Sequence, residues 1–198
     1  MSSTRAILGM IVVVALLIVV RSSLFIVNEP EQVIITQFGK PIGRQIDTPG
    51  LKFKTPFIQK AHRFEKRYLE WDGHRNELPT RDKRFIWVDT YARWRISDPL
   101  LFFQRLRDER GAQTRLDDIL DGETRNAIAN HDLIEVIRST NRDDFIDAAI
   151  EGEEPDILQP IRTGRDDIRD EILTTAQSRT ADLGIEILDV QFSRTSCT

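Results

Sequence analysis

Cysteine is almost absent from this chain: Cys197 stands alone beside the last residue, so no intrachain disulfide and no cysteine metal cluster can form. Histidine is nearly as scarce. His62, His74 and His131 are scattered, and none is spaced to bring two imidazoles onto one helical face, as a zinc site needs; each reads as a structural histidine. Nucleophile constellations are missing too. Ser22, Ser23 and Ser97 have neither a neighbouring histidine nor a glycine elbow around them, so no catalytic residue is expected. The same poverty leaves no expected metal or cofactor, and no nucleic-acid partner is expected either.

Lysine stops at Lys83, and charge is unequal along the chain. Residues 1–110 hold 19 Lys or Arg against 12 Asp or Glu, while residues 111–198 hold 9 against 20, so portions of +7 and -11 make the net charge of -4. A basic portion beside a membrane suits anionic headgroups and an acidic one points away from them; charges that merely solvate a surface give the same count. With 198 residues, one soluble domain plus an anchor is the natural count, because about 150 residues bury roughly two thirds of their surface.

What is present is organised around Arg84–Pro99, RFIWVDTYARWRISDP. Ile86, Val88, Thr90, Ala92, Trp94 and Ile96 fall on one face of a period of two, with Asp89, Arg93 and Arg95 on the other, the pattern of a long strand with one wet side. Phe85, Trp87 and Tyr91 add aromatic width to that wet side, where a second layer or a neighbouring subunit would cover them. Trp87 and Tyr91 are therefore the candidate subunit-interface residues. Asp98 and Pro99 end the strand and start a helix, the first as N-cap and the second at the first helical position.

Toward the N-terminus, Ala6–Val20 is fifteen residues without a charge, and apolar character resumes at Leu24–Val27. Read as one helix, Ala6–Val27 is about 33 Å long, enough for a bilayer core of about 30 Å. A cleaved signal peptide is disfavoured, since small residues at A-x-A spacing do not follow Val20. Arg5 and the amino group precede the span, while Arg21, Glu29 and Glu31 follow it, a slight bias toward a cytoplasmic N-terminus and an extracytoplasmic domain.

Strands are expected at Gln32–Phe38, at the turn-bearing Thr48–Lys60 and at His62–Trp71, together an antiparallel sheet. In Thr48–Lys60, Leu51, Phe53, Phe57 and Ile58 are apolar, with Lys52, Lys54 and Lys60 interspersed. Leu51, Lys52, Phe53, Lys54 and Phe57 are candidate membrane-contact residues; an ordinary hairpin with Leu51 and Phe53 in the core is the competing reading. Beyond Pro99, helical spacing is read to about Arg107, over Ala112–Ala129, at His131–Arg138 and from Thr163 to Gly184, with a small helix or loop at Asn141–Ile150. Glu151–Pro160 reads as an exposed acidic loop, a metal site being the sharper alternative. Ile185–Phe192 is a last strand that returns to the sheet.

QFGK at Gln37–Lys40, PGLKFKTPF at Pro49–Phe57, VDTYARWRISDP at Val88–Pro99 and LGIEILDVQF at Leu183–Phe192, in that order behind an apolar N-terminus, resemble the SPFH or band 7 family of stomatins, prohibitins, flotillins and the bacterial HflK and HflC proteins. Within it the HflC branch is most similar, through WRISDP and PGLKFKTPF. The resemblance implies an α+β fold, a transmembrane helix followed by an SPFH domain of antiparallel sheet with packed helices. Its divisions are a tail at 1–5, an anchor at 6–27, the domain at 28–193 and a tail at 194–198. It also implies a single-pass membrane scaffold without catalytic residues, forming a homo- or hetero-oligomer with an HflK-like paralogue, touching lipid, and restraining an FtsH-type membrane protease. A stomatin-like lipid-organising protein is the alternative. Family members continue after the last strand into a long helix, whereas SRTSCT has no heptad, so a fragment or a changed reading frame near Phe192 is expected.

Overall fold

The structure, a computed structural model, describes residues 2–140 and 160–197. The helix or loop read at Asn141–Ile150, and all of the acidic run except Pro160, lie outside the described residues. Helix α1 (Ser2–Ser23) is followed by a short strand, β1 (Leu24–Val27). A single helix over Ala6–Val27 is thus corrected: the helix stops at Ser23. The Ser22 hydroxyl donates to the Ile18 and Val19 carbonyls and the Ser23 hydroxyl to Val19, back-bonding to the preceding turn in a way that weakens a helix at its end. Leu24–Val27 then gains a better partner, pairing antiparallel with β4 (Gly50–Phe53). Phe25 and Val27 are buried with Val33 in a small core of their own.

Beside this ribbon stands a three-stranded antiparallel sheet ordered β3-β2-β5, from β2 (Glu31–Gln37), β3 (Lys40–Ile46) and β5 (Gln59–Glu65). The run His62–Trp71 is not one strand but the end of β5 and the separate β6 (Leu69–Asp72). The larger sheet is built on β8 (Phe85–Ile96), whose even positions are buried and whose odd positions are open or half-open. Strand β9 (Ile185–Cys197) pairs with it from Ile86 to Ile96. A strand has two edges, so β7 (Asn76–Pro79) and β6 follow one another along the second, β7 opposite Phe85–Val88 and β6 opposite Tyr91–Trp94.

Among the described residues four helices serve this layer: α2 (Pro99–Arg105), α3 (Glu109–Asn130), α4 (Leu133–Ile137) and α5 (Arg165–Thr180). Leu116, Ile119, Leu120 and Ile128 of α3, with Ile168, Ile172 and Ala176 of α5, join Ile86, Val88, Ala92 and Trp94 in one core. Trp94 stacks on Phe102 at 6.4 Å between centroids, and the Trp71 indole N–H donates to Asp117 at 2.6 Å, giving a buried ring its polar partner. The start of α2 is as expected: the Asp98 carboxylate accepts from the Leu100 and Leu101 amides at 2.9 and 3.0 Å. Polar and aromatic contacts join the smaller sheet to the larger layer, His62 on Phe103 at 4.6 Å among them. The Gln32 side-chain amide donates to the Ile96 carbonyl at 3.1 Å, and Phe64 meets Phe102 edge-on at 5.3 Å.

Gly184 closes the short 3-10 turn after α5 with φ +72°. Its carbonyl accepts from the Ser97 and Asp98 amides, so β9 begins where β8 ends. A Cβ there would lie 2.7 Å from the Phe102 nitrogen and closer still to the Asp98 carbonyl oxygen. Gly184→Ala is expected to cost about 2 kcal/mol or more, through both the left-handed backbone and the clash. Gly122→Ala, mid-helix with open space around its Cβ, should gain about 0.5 to 1 kcal/mol. Urea denaturation of the two variants checks this, and equal effects would refute the assignment of Gly184.

Candidate functional site

The β1–β4 ribbon has two unlike faces. Leu24 lies opposite Phe53 and Ile26 opposite Leu51, while Phe25 lies opposite Lys52 and Val27 opposite Gly50. Phe25 and Val27 face the small core; the other row faces outward, with Ile26 59%, Leu51 57% and Phe53 74% exposed. Leu51 and Phe53 are therefore not core residues of an ordinary hairpin. Phe57, in the loop after β4, is 85% exposed. The loop is tied to the end of α1 by a hydrogen bond of 2.8 Å from the Lys54 amide to the Ser23 carbonyl.

The structure separates the lysines from this apolar row. Lys52 lies on the inner side of the ribbon, half-buried, and donates to the Thr48 hydroxyl at 2.9 Å. Lys54 is half-buried beside the helix end. Sequence reasoning missed Ile26, because an apolar run cannot distinguish the last turn of a membrane helix from a strand. It also missed Phe38, 83% exposed. Gln37 pairs with Lys40, which leaves Phe38 and Gly39 as a two-residue hairpin turn with φ of +48° and +80°, the geometry of a type I′ turn.

Trp87 and Tyr91 lie on the open face of β8, between strands on both sides. Trp87 pairs with Glu77 and Ser196, and Tyr91 with Asp72 and Gln191. Both are half-buried, and the Arg75 guanidinium sits 5.0 Å from the centre of the Trp87 ring. Phe85 and Tyr68 are more exposed than either. The charges of this face pair within the chain: Arg93 meets Asp189 at 2.6 Å and Arg95 meets Glu186 at 2.7 Å.

His62 accepts or donates to the Thr36 hydroxyl at 3.0 Å and packs on Phe103; burial first, and Lys60 second, hold its pKa below the usual imidazole value. Among the described residues no three His, Cys, Asp or Glu side chains are grouped to hold a metal ion. Among them also, no helix is long and apolar enough to cross a membrane.

The model of the SPFH domain / band 7 family matches residues 25–197, from the ribbon through β9. The chain belongs to this family. It is 37% identical over 201 residues to Protein HflC of Borreliella burgdorferi and 32% over 203 residues to Protein HflC of Treponema pallidum, each match covering 95% of this chain. The chain spans 60% and 61% of the length of those two relatives. A protein of Escherichia coli named Modulator of FtsH protease HflC is 36% identical over 93 residues, 44% of this chain and 28% of that protein. The antiparallel sheets with packed helices agree with the α+β class expected for the family.

Hydrogen bonding by Arg93 pulls the Asp189 carboxyl below its ordinary 3.8, against the opposing effect of burial. A carboxylate with a depressed folded pKa adds stability that is present above its unfolded pKa and lost as pH falls through the folded one. Asp189→Asn is therefore expected to be modestly less stable than the parent at neutral pH and to converge with it in acid. Urea midpoints across that range check the sign, and a gap that persists in acid would mean that packing, not charge, is what Asp189 supplies.

Proposed function

We propose that the chain is a membrane-anchored scaffold subunit, HflC-like and without chemistry of its own, which with an HflK-like paralogue regulates an FtsH-type membrane protease by enclosing it or limiting substrate access. The observation that carries the reading is the similarity to proteins named HflC along 95% of the chain, together with the naming of the Escherichia coli relative as a modulator of FtsH protease. The anchor is part of the proposal and goes beyond α1 as described, which is not by itself long and apolar enough to cross a membrane. Its support is the fifteen-residue uncharged run Ala6–Val20 within a helix of 22 residues, and the exposure of Met10–Val14 and Leu16–Val20, apolar side chains that none of the described residues covers. Arg21 would stand at the headgroups, the N-terminus on the cytoplasmic side and the domain outside it.

On this reading the outer row of Ile26, Leu51 and Phe53 rests on the bilayer at the foot of α1, with Phe57 beside it. Transfer from water is worth about 1.5 to 3 kcal/mol per large apolar side chain, so the row would orient the domain as well as attach it. Trp87 and Tyr91 are the proposed contact with a neighbouring subunit. The basic N-terminal portion and the same apolar row favour a second reading, a lipid-organising protein without a protease partner.

Two measurements test this. Co-purification with the HflK-like and FtsH-type proteins of the same genome should yield one large particle by native mass; a chain that stays monomeric and recovers neither would overturn the scaffold assignment. In a Cys197→Ser background, Ile26→Cys should be shielded from a membrane-impermeant maleimide in proteoliposomes and react freely in denaturant. Equal labelling in both would remove the proposed bilayer contact and leave the scaffold reading to the first measurement.

A further inference from the structure

Four non-glycine residues among those described have a positive φ: Phe38, Phe57, Lys83 and Arg107. Three of the four, Phe38, Phe57 and Arg107, line one cleft. Left-handed backbone costs a non-glycine residue of order 1 kcal/mol or more, and such residues persist where function holds them. At Phe38 the choice is especially costly, because a type I′ turn favours asparagine or glycine in its first central position. Instead the turn carries a phenylalanine whose ring stands in solvent. These strained residues come from three separate segments, the β2–β3 turn, the β4–β5 loop and the α2–α3 connection, so no single local distortion accounts for their convergence.

The cleft has a volume of about 680 Å³, within the range of small-molecule sites. Phe38, Phe57, Ile58 and Phe103 supply apolar wall, while Lys60 and Arg107 supply cationic groups; among the described residues no aspartate or glutamate lines it. His62 lies in the same wall, its Nε2 already bonded to the Thr36 hydroxyl. Apolar wall with two cationic side chains matches an anionic amphiphile, with phosphate at the cations and hydrocarbon on the rings. The loop that carries Phe57 and Ile58 is the one bonded to the last residue of α1.

We infer that this cleft binds one anionic phospholipid drawn from the bilayer, phosphate toward Lys60 and Arg107 and acyl chain along Phe38 and Phe57. The inference rests on the proposed membrane placement for the source of the lipid but concerns a separate surface from the Ile26–Leu51–Phe53 row. A lipid held there would fill the space between the smaller sheet and α2, and so would fix how the smaller sheet sits against the larger layer.

Native mass spectrometry of the full chain in detergent, titrated with phosphatidylglycerol or phosphatidylcholine, tests the site without a bilayer. One phosphatidylglycerol should bind, in preference to phosphatidylcholine by about fivefold or more for the charge contribution. Two variants relax the backbone while removing the ligand contacts: Phe38→Asn suits the turn, and Arg107→Gly suits φ +70°. Each should keep or raise the melting temperature and weaken phosphatidylglycerol binding by about fivefold, the loss expected for one desolvated contact. Unchanged lipid binding in both variants overturns the inference, as does equal binding of phosphatidylcholine. Full displacement of the lipid by inorganic phosphate would assign the cleft to a soluble anion and overturn the bilayer source. Leu51→Ser with Phe53→Ser should leave the adduct intact, so a failure of the outer row is distinguished from a failure of the cleft.

Discussion

A twelve-residue strand with strict alternation of buried and open side chains needs a layer packed on one face and partners on both edges, and β8 imposes that requirement on everything else in the larger layer. Its even face, from Ile86 to Ile96, is closed by α3 and α5, with Trp94 and Phe102 filling the end near the smaller sheet. Its edges are saturated by β9 on one side and by β6 and β7 in succession on the other. A register slip of one residue would carry Trp94 and Ile86 into water and Arg93 into the core, so the alternation locks the pairing. The junction of β8, α2 and β9 is locked separately by Asp98 and Gly184, whose backbone groups bond to one another across the corner.

The smaller sheet is held differently. It shares no strand with β8 and meets the larger layer through the Gln32 amide on the Ile96 carbonyl, through Phe64 on Phe102, and through His62 and Phe103. Helix α2 therefore serves both bodies: Phe102 is in the main core, and the next residue, Phe103, packs on the smaller sheet. Besides Tyr68, Phe85 and Ile137, the apolar side chains left outside are those of α1, of the ribbon and loop bonded to its end, and of the Phe38 turn across the cleft. Their exposure costs solubility without improving packing in the chain itself, which is why they are read as contacts with something else.

Where local chemistry and tertiary structure agree, the sequence was legible. The period of two in β8, the Asp98–Pro99 start of α2, the stripes of α3 and α5 and the Gly184 stop all have causes within a few residues of themselves. The end of α1 did not, since Leu24–Val27 is as apolar as the run before it and becomes a strand only because β4 is available to pair with it. The grouping of Leu51, Lys52, Phe53 and Lys54 was half legible for a related reason. Alternation announces two faces, but which face turns to water depends on where Val33 of β2 lies, beneath Phe25 and Val27. Positive φ at Phe38, Phe57 and Arg107 had no local signal at all.

The wet face of β8 and β9 differs from the ribbon in a way that bears on assembly. Arg93 and Arg95 are already engaged by Asp189 and Glu186, and the Trp87 ring is covered in part by Arg75. A neighbour arriving there gains aromatic surface and no unpaired guanidinium from these two arginines, so the contact would be of modest strength. Modest contacts suffice when subunits are tethered in one plane at one height, because the tether replaces a search in three dimensions by a high effective concentration. Under the proposed anchoring, then, the ribbon matters to assembly as much as the interface does: by fixing the height and tilt of each domain, it determines whether weak faces meet at all.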